Sequence, residues 1–229
     1  NCPAMVGTAP QASYYLFVTE DGATETQLEE YNYVIAAEKA DSLGVDIIHA
    51  SLGYQDFDIK SLSYEYKEIN GNTAISTIGA DIAATKGIII VTSAGNEGDE
   101  EWGKITAPAD GDSVICVGAV DANGYLADFS SRGPTYDGRI APLICAQGVR
   151  VATQGRNAIS LPNGTSFSGP IIAGSIACLL QAFPNLTYSQ LYEALAATAS
   201  LAETPDNEMG YGIPNFYKAY LYLKQKNNK

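Results

Sequence analysis

The chain has 229 residues, enough for one large domain, and 46% of them are hydrophobic, enough to build a sizeable core. Its 13 Lys and Arg are outnumbered by 26 Asp and Glu, for a formal net charge of −13. That balance argues against a nucleic-acid partner, whose phosphates need basic side chains, and against an anionic membrane surface. No run is expected to reach the roughly 18 apolar residues of a membrane span, so no membrane partner is expected either.

Short apolar β-type runs alternate with helical stretches along the chain. Residues 14–18 read as the first strand and 26–42 as the first helix. A strand at 47–52, a helix at 73–86 and strands at 88–93 and 114–120 follow. A strand at 149–153 precedes helices at 166–183, 187–198 and 215–223. Gly44 and Gly87 stand where helix ends are expected. Ile88-Ile89-Ile90-Val91 is apolar on both faces, as in a covered parallel sheet. The expected fold is a three-layer α/β sandwich with a mostly parallel sheet. Residues 1–223 form that domain and 224–229 a solvated tail.

Four cysteines, Cys2, Cys116, Cys145 and Cys178, show neither a CxxC nor a zinc spacing. They read as unpaired, with Cys116 in an apolar strand-like run and Cys178 in a buried helix.

Pro162-Asn163-Gly164-Thr165-Ser166-Phe167-Ser168-Gly169-Pro170 leads into an apolar helical run. Ile171, Ile172, Ala173, Ile176, Ala177, Leu179 and Leu180 make that helix apolar almost all round, the mark of a buried helix. A hydroxyl at its mouth faces free backbone N–H groups and the positive end of the dipole, where a developing oxyanion is stabilised. Ser166 is therefore a candidate nucleophile. The plainer alternative is that Thr165 or Ser166 simply caps the helix. Pro170, four residues past Ser166, leaves the Ser166 carbonyl without a helical hydrogen bond.

Ser93-Ala94-Gly95-Asn96-Glu97-Gly98 follows the most apolar strand. Read alone, it is a turn built from the usual Asn and Gly. Beside Ser166, the Asn96 amide becomes a candidate oxyanion donor, converging with the Ser166 N–H on one charge. In parallel sheets, active groups gather at the carboxyl ends of strands, and Ser51-Leu52-Gly53 ends another one.

Gly164-Thr165-Ser166 with Pro170 closely resembles the nucleophile motif of the subtilisin-like serine proteases, the subtilases. Phe167 stands for the usual Met and Ser168 for the usual Ala. Val6-Gly7-Thr8-Ala9-Pro10, the run from Gly44 to Gly53, Ser93-Ala94-Gly95-Asn96, Phe129-Ser130-Ser131-Arg132-Gly133-Pro134 and Gly210-Tyr211-Gly212 resemble further family segments in the same order. His49 replaces a frequent Asn, Ala141-Pro142-Leu143 a usual Lys-Pro-Asp, and Gln147 a common Pro. The resemblance implies a serine endopeptidase acting on polypeptides through an acyl-enzyme. It implies that Ser166 is the nucleophile and Asn96 the oxyanion donor. Ser51, Leu52, Gly53, Ser93, Ala94 and Gly95 would flank the substrate and line the primary specificity pocket. By the same resemblance calcium is a possible cofactor, with no motif here matching a site, and export to the cell surface or medium is common.

The family order is Asp, then His, then Ser. Both partners of Ser166 are expected upstream of Val6, where this chain has five residues and neither Asp nor His. Asn1 is not a start residue, so the chain is expected to be part of a subtilase domain lacking its N-terminal part, and inactive by itself. A separate fragment carrying Asp and His is a possible partner. The single histidine, His49, lies mid-strand and reads as a hydrogen-bonded structural residue. The competing class is a non-catalytic, protease-derived domain that binds peptides or a partner. A nucleotide-binding domain would need a glycine-rich phosphate loop, which the sequence lacks.

Overall fold

The computed structural model describes residues 6–155 and 158–227. Cys2 and residues 228–229 of the expected tail lie outside the described residues. Four parallel strands form the central sheet in the order β1 (Ile47–Ala50), β2 (Ile89–Ser93), β3 (Val114–Val120), β4 (Ile144–Gln147). Register pairs Ile47 with Ile89, Ile90 with Val114 and Val117 with Ile144. β2 and β3 are buried along their whole length, which explains why both read as unbroken apolar runs. A two-stranded antiparallel ribbon, β5 (Thr153–Gln154) and β6 (Ile159–Ser160), precedes the Ser166 segment.

One face of the sheet carries α1 (Leu28–Leu43) and α2 (Ile75–Thr85), packed through Tyr33, Ala37, Ala80 and Ala83 onto Ile88, Ile90 and Val114. The other carries α3 (Thr165–Ala182), backed by α4 (Tyr188–Thr198) and α5 (Phe216–Asn227). Ile172, Ile176 and Leu179 of α3 join Val91, Ile115, Val117, Ile144, Leu191 and Leu195 in the main core. The three-layer α/β sandwich is thus present. Gly44, at φ 71°, ends α1 in the left-handed conformation that glycine adopts freely.

Several expectations are corrected. Residues 14–18 form no strand; this apolar run lies on the surface, with Leu16 and Val18 almost fully exposed. The strand expected at 149–153 is irregular apart from Thr153, and the fourth sheet strand lies just before it, at β4. α5 runs on through Lys224 and Lys226 to Asn227, so most of the expected tail is helix; Lys226 pairs with Glu193. α3 is not buried all round: Cys178 is exposed, and its thiol meets the Thr8 carbonyl. By length and composition α3 is also apolar enough to cross a membrane, contrary to expectation, although its Ile172, Ile176 and Leu179 are packed on the sheet.

Candidate active site

The capping alternative does not hold. Gly164 occupies the N-cap of α3, at φ 147°, and neither Thr165 nor Ser166 stands at that position. Ser166 lies one residue inside the helix, half-buried, and its Oγ lies 3.4 Å from the Ser51 carbonyl, a long hydrogen bond. The loop before it is pinned from both sides. Gly164 N–H donates to the Gly148 carbonyl at 2.8 Å, and Asn163 Oδ1 accepts the Arg150 N–H at 2.8 Å.

The Ser166 carbonyl, which Pro170 leaves without a helical donor, lies 3.1 Å from the Ser51 hydroxyl. Ser51 in turn meets His49 Nε2 at 2.7 Å, while His49 Nδ1 lies 3.2 Å from the Val91 carbonyl. A carbonyl can only accept, so Nδ1 carries the proton and Nε2 accepts from Ser51. One hydroxyl proton therefore serves two acceptors. Burial pulls the His49 imidazole down to about 4, opposed only by the Val91 hydrogen bond, so the ring is neutral at physiological pH. His49 packs against α3 so closely that a Cβ at Gly169 would stand 2.5 Å from its Cε1. It is the hydrogen-bonded structural residue expected from its place in the strand, and neither ring nitrogen is hydrogen-bonded to Ser166 Oγ.

The second wall is built at the end of β2. Asn96 Oδ1 accepts the Thr165 N–H at 2.8 Å and the Thr165 hydroxyl at 3.1 Å. A backbone N–H must donate, which fixes the amide orientation: the oxygen faces Thr165, and Nδ2 is left on the opposite side. Asn96 is exposed, so that NH2 is open to a ligand. Ser93 Oγ donates to the Thr165 carbonyl at 2.9 Å, and Ser168 Oγ donates to it at 3.0 Å. Thr165, which sequence reasoning treated only as a possible cap, is thus the joint between Asn96 and the helix that carries Ser166. Its neighbours Asn96 and Ser166 gave the only sequence signal for it.

Of the residues expected to flank substrate, Ser51 and Gly53 are exposed, Leu52 and Gly95 are half-buried, and Ser93 and Ala94 are buried. The two strand ends are stitched together. Tyr54 and Ala107 exchange both backbone hydrogen bonds, and the Thr106 N–H donates to the Ala94 carbonyl at 3.2 Å. This places Thr106 between the glycines: a Cβ on Gly53 would be 2.2 Å, and one on Gly95 3.1 Å, from its hydroxyl. Thr106, absent from the sequence-based candidates, had no local motif to announce it. From this junction an open cleft of about 780 Å³ extends past Gly53, Glu97, Trp102 and Tyr66.

Among the described residues, one group of carboxylates could meet at a shared cation. The ligand atoms of Glu20, Glu25 and Glu29 lie within 4.8 Å of one another. Glu29 already accepts the N–H groups of Asp21 and Thr26, and Glu20 accepts the Tyr54 hydroxyl. These partners account for the arrangement, and no metal is assigned to it.

A sequence profile described as "Subtilase family" matches residues 1–212. Subtilisin DY of Bacillus licheniformis is 34% identical over 204 residues, spanning 87% of this chain and 65% of the relative. Subtilisin E of Bacillus subtilis (strain 168) is 32% identical over 203 residues, spanning 87% of this chain and 47% of the relative. The chain therefore covers about half to two thirds of these relatives' length. Among solved structures, the patellamide maturation protease PatA superposes with a TM-score of 0.68 at 25% identity, over 86% of this chain and 69% of that one.

Proposed function

The chain belongs to the subtilase family, and from that premise we propose that it carries the nucleophilic half of a serine endopeptidase site. The observation that carries this reading is the double anchoring of Thr165 by Asn96. It aims the free Asn96 amide NH2 past the backbone turn on which Ser166 stands. In the proposed reaction Ser166 Oγ attacks a peptide carbonyl, and its proton passes to a base. The carbonyl oxygen becomes an oxyanion held by Asn96 Nδ2 and the Ser166 N–H. The tetrahedral intermediate expels the amine, which takes the proton, and water then releases the acyl group.

The base is proposed to come from outside these 229 residues, together with the carboxylate that orients it. The one histidine present is occupied by Ser51 and Val91. Loss of the histidine base costs on the order of a million-fold in kcat in a subtilisin, so the chain by itself is expected to be catalytically silent. A segment carrying Asp and His is the proposed partner and a polypeptide the proposed substrate. A location outside the cell is proposed on family likeness alone.

The test is hydrolysis of an unstructured polypeptide by the protein that contains this chain, alongside the 229-residue chain alone. Cleavage by the former that disappears with Ser166→Ala supports the reading. Full activity of the Ser166→Ala variant, or absence of cleavage by the complete protein, overturns it. The latter outcome would favour a protease-derived peptide-binding domain, the reading suited to a site without its base.

A further inference from the structure

Building on the endopeptidase reading, we propose that His49 is a positioning residue for Ser166, acting through the Ser51 hydroxyl and seated by the missing side chain of Gly169. The role rests on a line of contacts that runs from β2 across β1 to the first turn of α3.

The line ends at the Ser166 carbonyl. Pro170 has no N–H, so this carbonyl has no helical donor. Backbone carbonyls away from water need a partner, and the Ser51 hydroxyl supplies one at 3.1 Å. Ser51 meets Ser166 a second time, because its own carbonyl accepts the Ser166 Oγ at 3.4 Å. The backbone and the hydroxyl of Ser166 are therefore both referenced to one residue.

A serine hydroxyl turns to suit its neighbours, so Ser51 holds Ser166 only where something holds Ser51. His49 Nε2 stands 2.7 Å from Ser51 Oγ, and His49 Nδ1 stands 3.2 Å from the Val91 carbonyl. The ring spans from β2 to Ser51 and fixes the hydroxyl between Nε2 and the Ser166 carbonyl. Neither ring nitrogen is hydrogen-bonded to Ser166 Oγ, so the ring acts through Ser51 and not as a base.

Packing gives the second, independent observation. Gly169 is buried inside α3, where glycine is a poor helix former, and it is not among the glycines with positive φ. What the position requires is room. A Cβ there would stand 2.5 Å from His49 Cε1 and 3.1 Å from Ser93 Oγ. The imidazole fills the space that a side chain would take, and Ser93 keeps its 2.9 Å contact with the Thr165 carbonyl. His49 and Gly169 are thus a matched pair, and a shorter side chain at position 49, such as the Asn frequent in subtilases, would not need the glycine.

The test uses the complete protein that contains this chain. It measures kcat and KM on a peptide substrate well below the unfolding transition recorded for each variant. His49→Leu removes the acceptor and Ser51→Ala the hydroxyl. Each is expected to lower kcat about tenfold, the scale of one hydrogen bond, with KM unchanged in His49→Leu. The double variant is expected to lose no more than Ser51→Ala alone, because both act through one hydroxyl. Gly169→Ala raises helix propensity, yet it is expected to lower kcat by displacing the ring. Adding His49→Asn, which is shorter and still offers an N–H and an acceptor, is expected to recover most of that loss. This pair keeps the proposal open to refutation should His49→Leu fail to fold. Additive losses in the double variant, an unchanged kcat in His49→Leu, or a Gly169→Ala loss that His49→Asn does not recover would each overturn the role alone. Absence of turnover by the unsubstituted protein would overturn the endopeptidase reading and the role with it.

Discussion

The turn that presents Ser166 and the acidic cleft beside it are built on opposite principles. Around the turn nearly every polar group has a partner inside the protein: Asn96 and Ser93 hold Thr165, Ser51 reaches the carbonyl freed by Pro170, and His49 braces Ser51. In the cleft, among the described residues, Glu25, Glu97, Glu100 and Glu101 lack ion pairs and the buried Thr106 hydroxyl lacks any partner. The first region is preorganised and gains nothing structurally from a ligand. The second is left unsatisfied. Chemistry needs the former, because reacting groups must be held still. Selectivity needs the latter, because discrimination comes from groups that only the right ligand satisfies.

Substitutions should separate the two regions by whether they lose activity, lose stability or gain it. The largest effect is expected at the proposed nucleophile: Ser166→Ala should abolish hydrolysis by the complete protein. Next, Asn96→Leu should lower kcat about a hundred- to a thousandfold, the scale found on removing one oxyanion donor in a subtilisin, with little change in KM. A raised KM with kcat unchanged would place Asn96 in ground-state binding instead.

A stability effect of middle size is expected from His49. The folded ring titrates near 4, and a free imidazole near 6.5. Its contribution is complete above pH 6.5 and is lost as the pH falls, because the unfolded chain takes up the proton first, until the folded ring is protonated near pH 4. The total is at most about 3 kcal/mol. Urea unfolding between pH 7 and 4 should show this slope, and the His49→Asn variant should lack that part of it. An unchanged slope in the variant would show that His49 does not couple the turn to pH.

The smallest effect carries the opposite sign. Glu97→Gln removes a carboxylate that is partly buried and repelled by its neighbours, so the variant should be more stable at neutral pH by under about 1 kcal/mol. For a raised carboxyl the sign follows directly. The native state favours the protonated form, and stability is lost as the pH rises through the folded value. A destabilised variant would mean that Glu97 has a structural partner and that the cleft is not a strained, waiting surface.

Local pattern carried much of this architecture. β2 and β3 were legible because strands covered on both faces are apolar throughout. The expected bounds of α2 and α4 fall within two residues of those observed, on periodicity and end signals. Residues 14–18 misled because β-branched and aromatic residues in a row look alike whether or not a neighbouring strand is there to pair them. β4 escaped notice because Ile144 is its only strong strand former, whereas the equally short β1 opens on Ile47-Ile48.

At the site, Ser166, Asn96 and the small-residue strand ends were visible as motifs. What joins them was not. The Ser51–Ser166 contact spans 115 positions and the Asn96–Thr165 contact 69, and no local pattern encodes a pairing at such separation. Thr106 is a further case: its role comes from the two glycines that close around it, one from each strand end.

The central proposal is that Ser166 is a nucleophile whose base comes from outside these 229 residues. Fluorophosphonate labelling read by intact mass and peptide mapping tests it most directly, on the 229-residue chain alone and on the complete protein that contains it. The account predicts adduct on Ser166 in the complete protein and negligible adduct on the chain alone. Strong labelling of the isolated chain, or none at Ser166 in the complete protein, would contradict it.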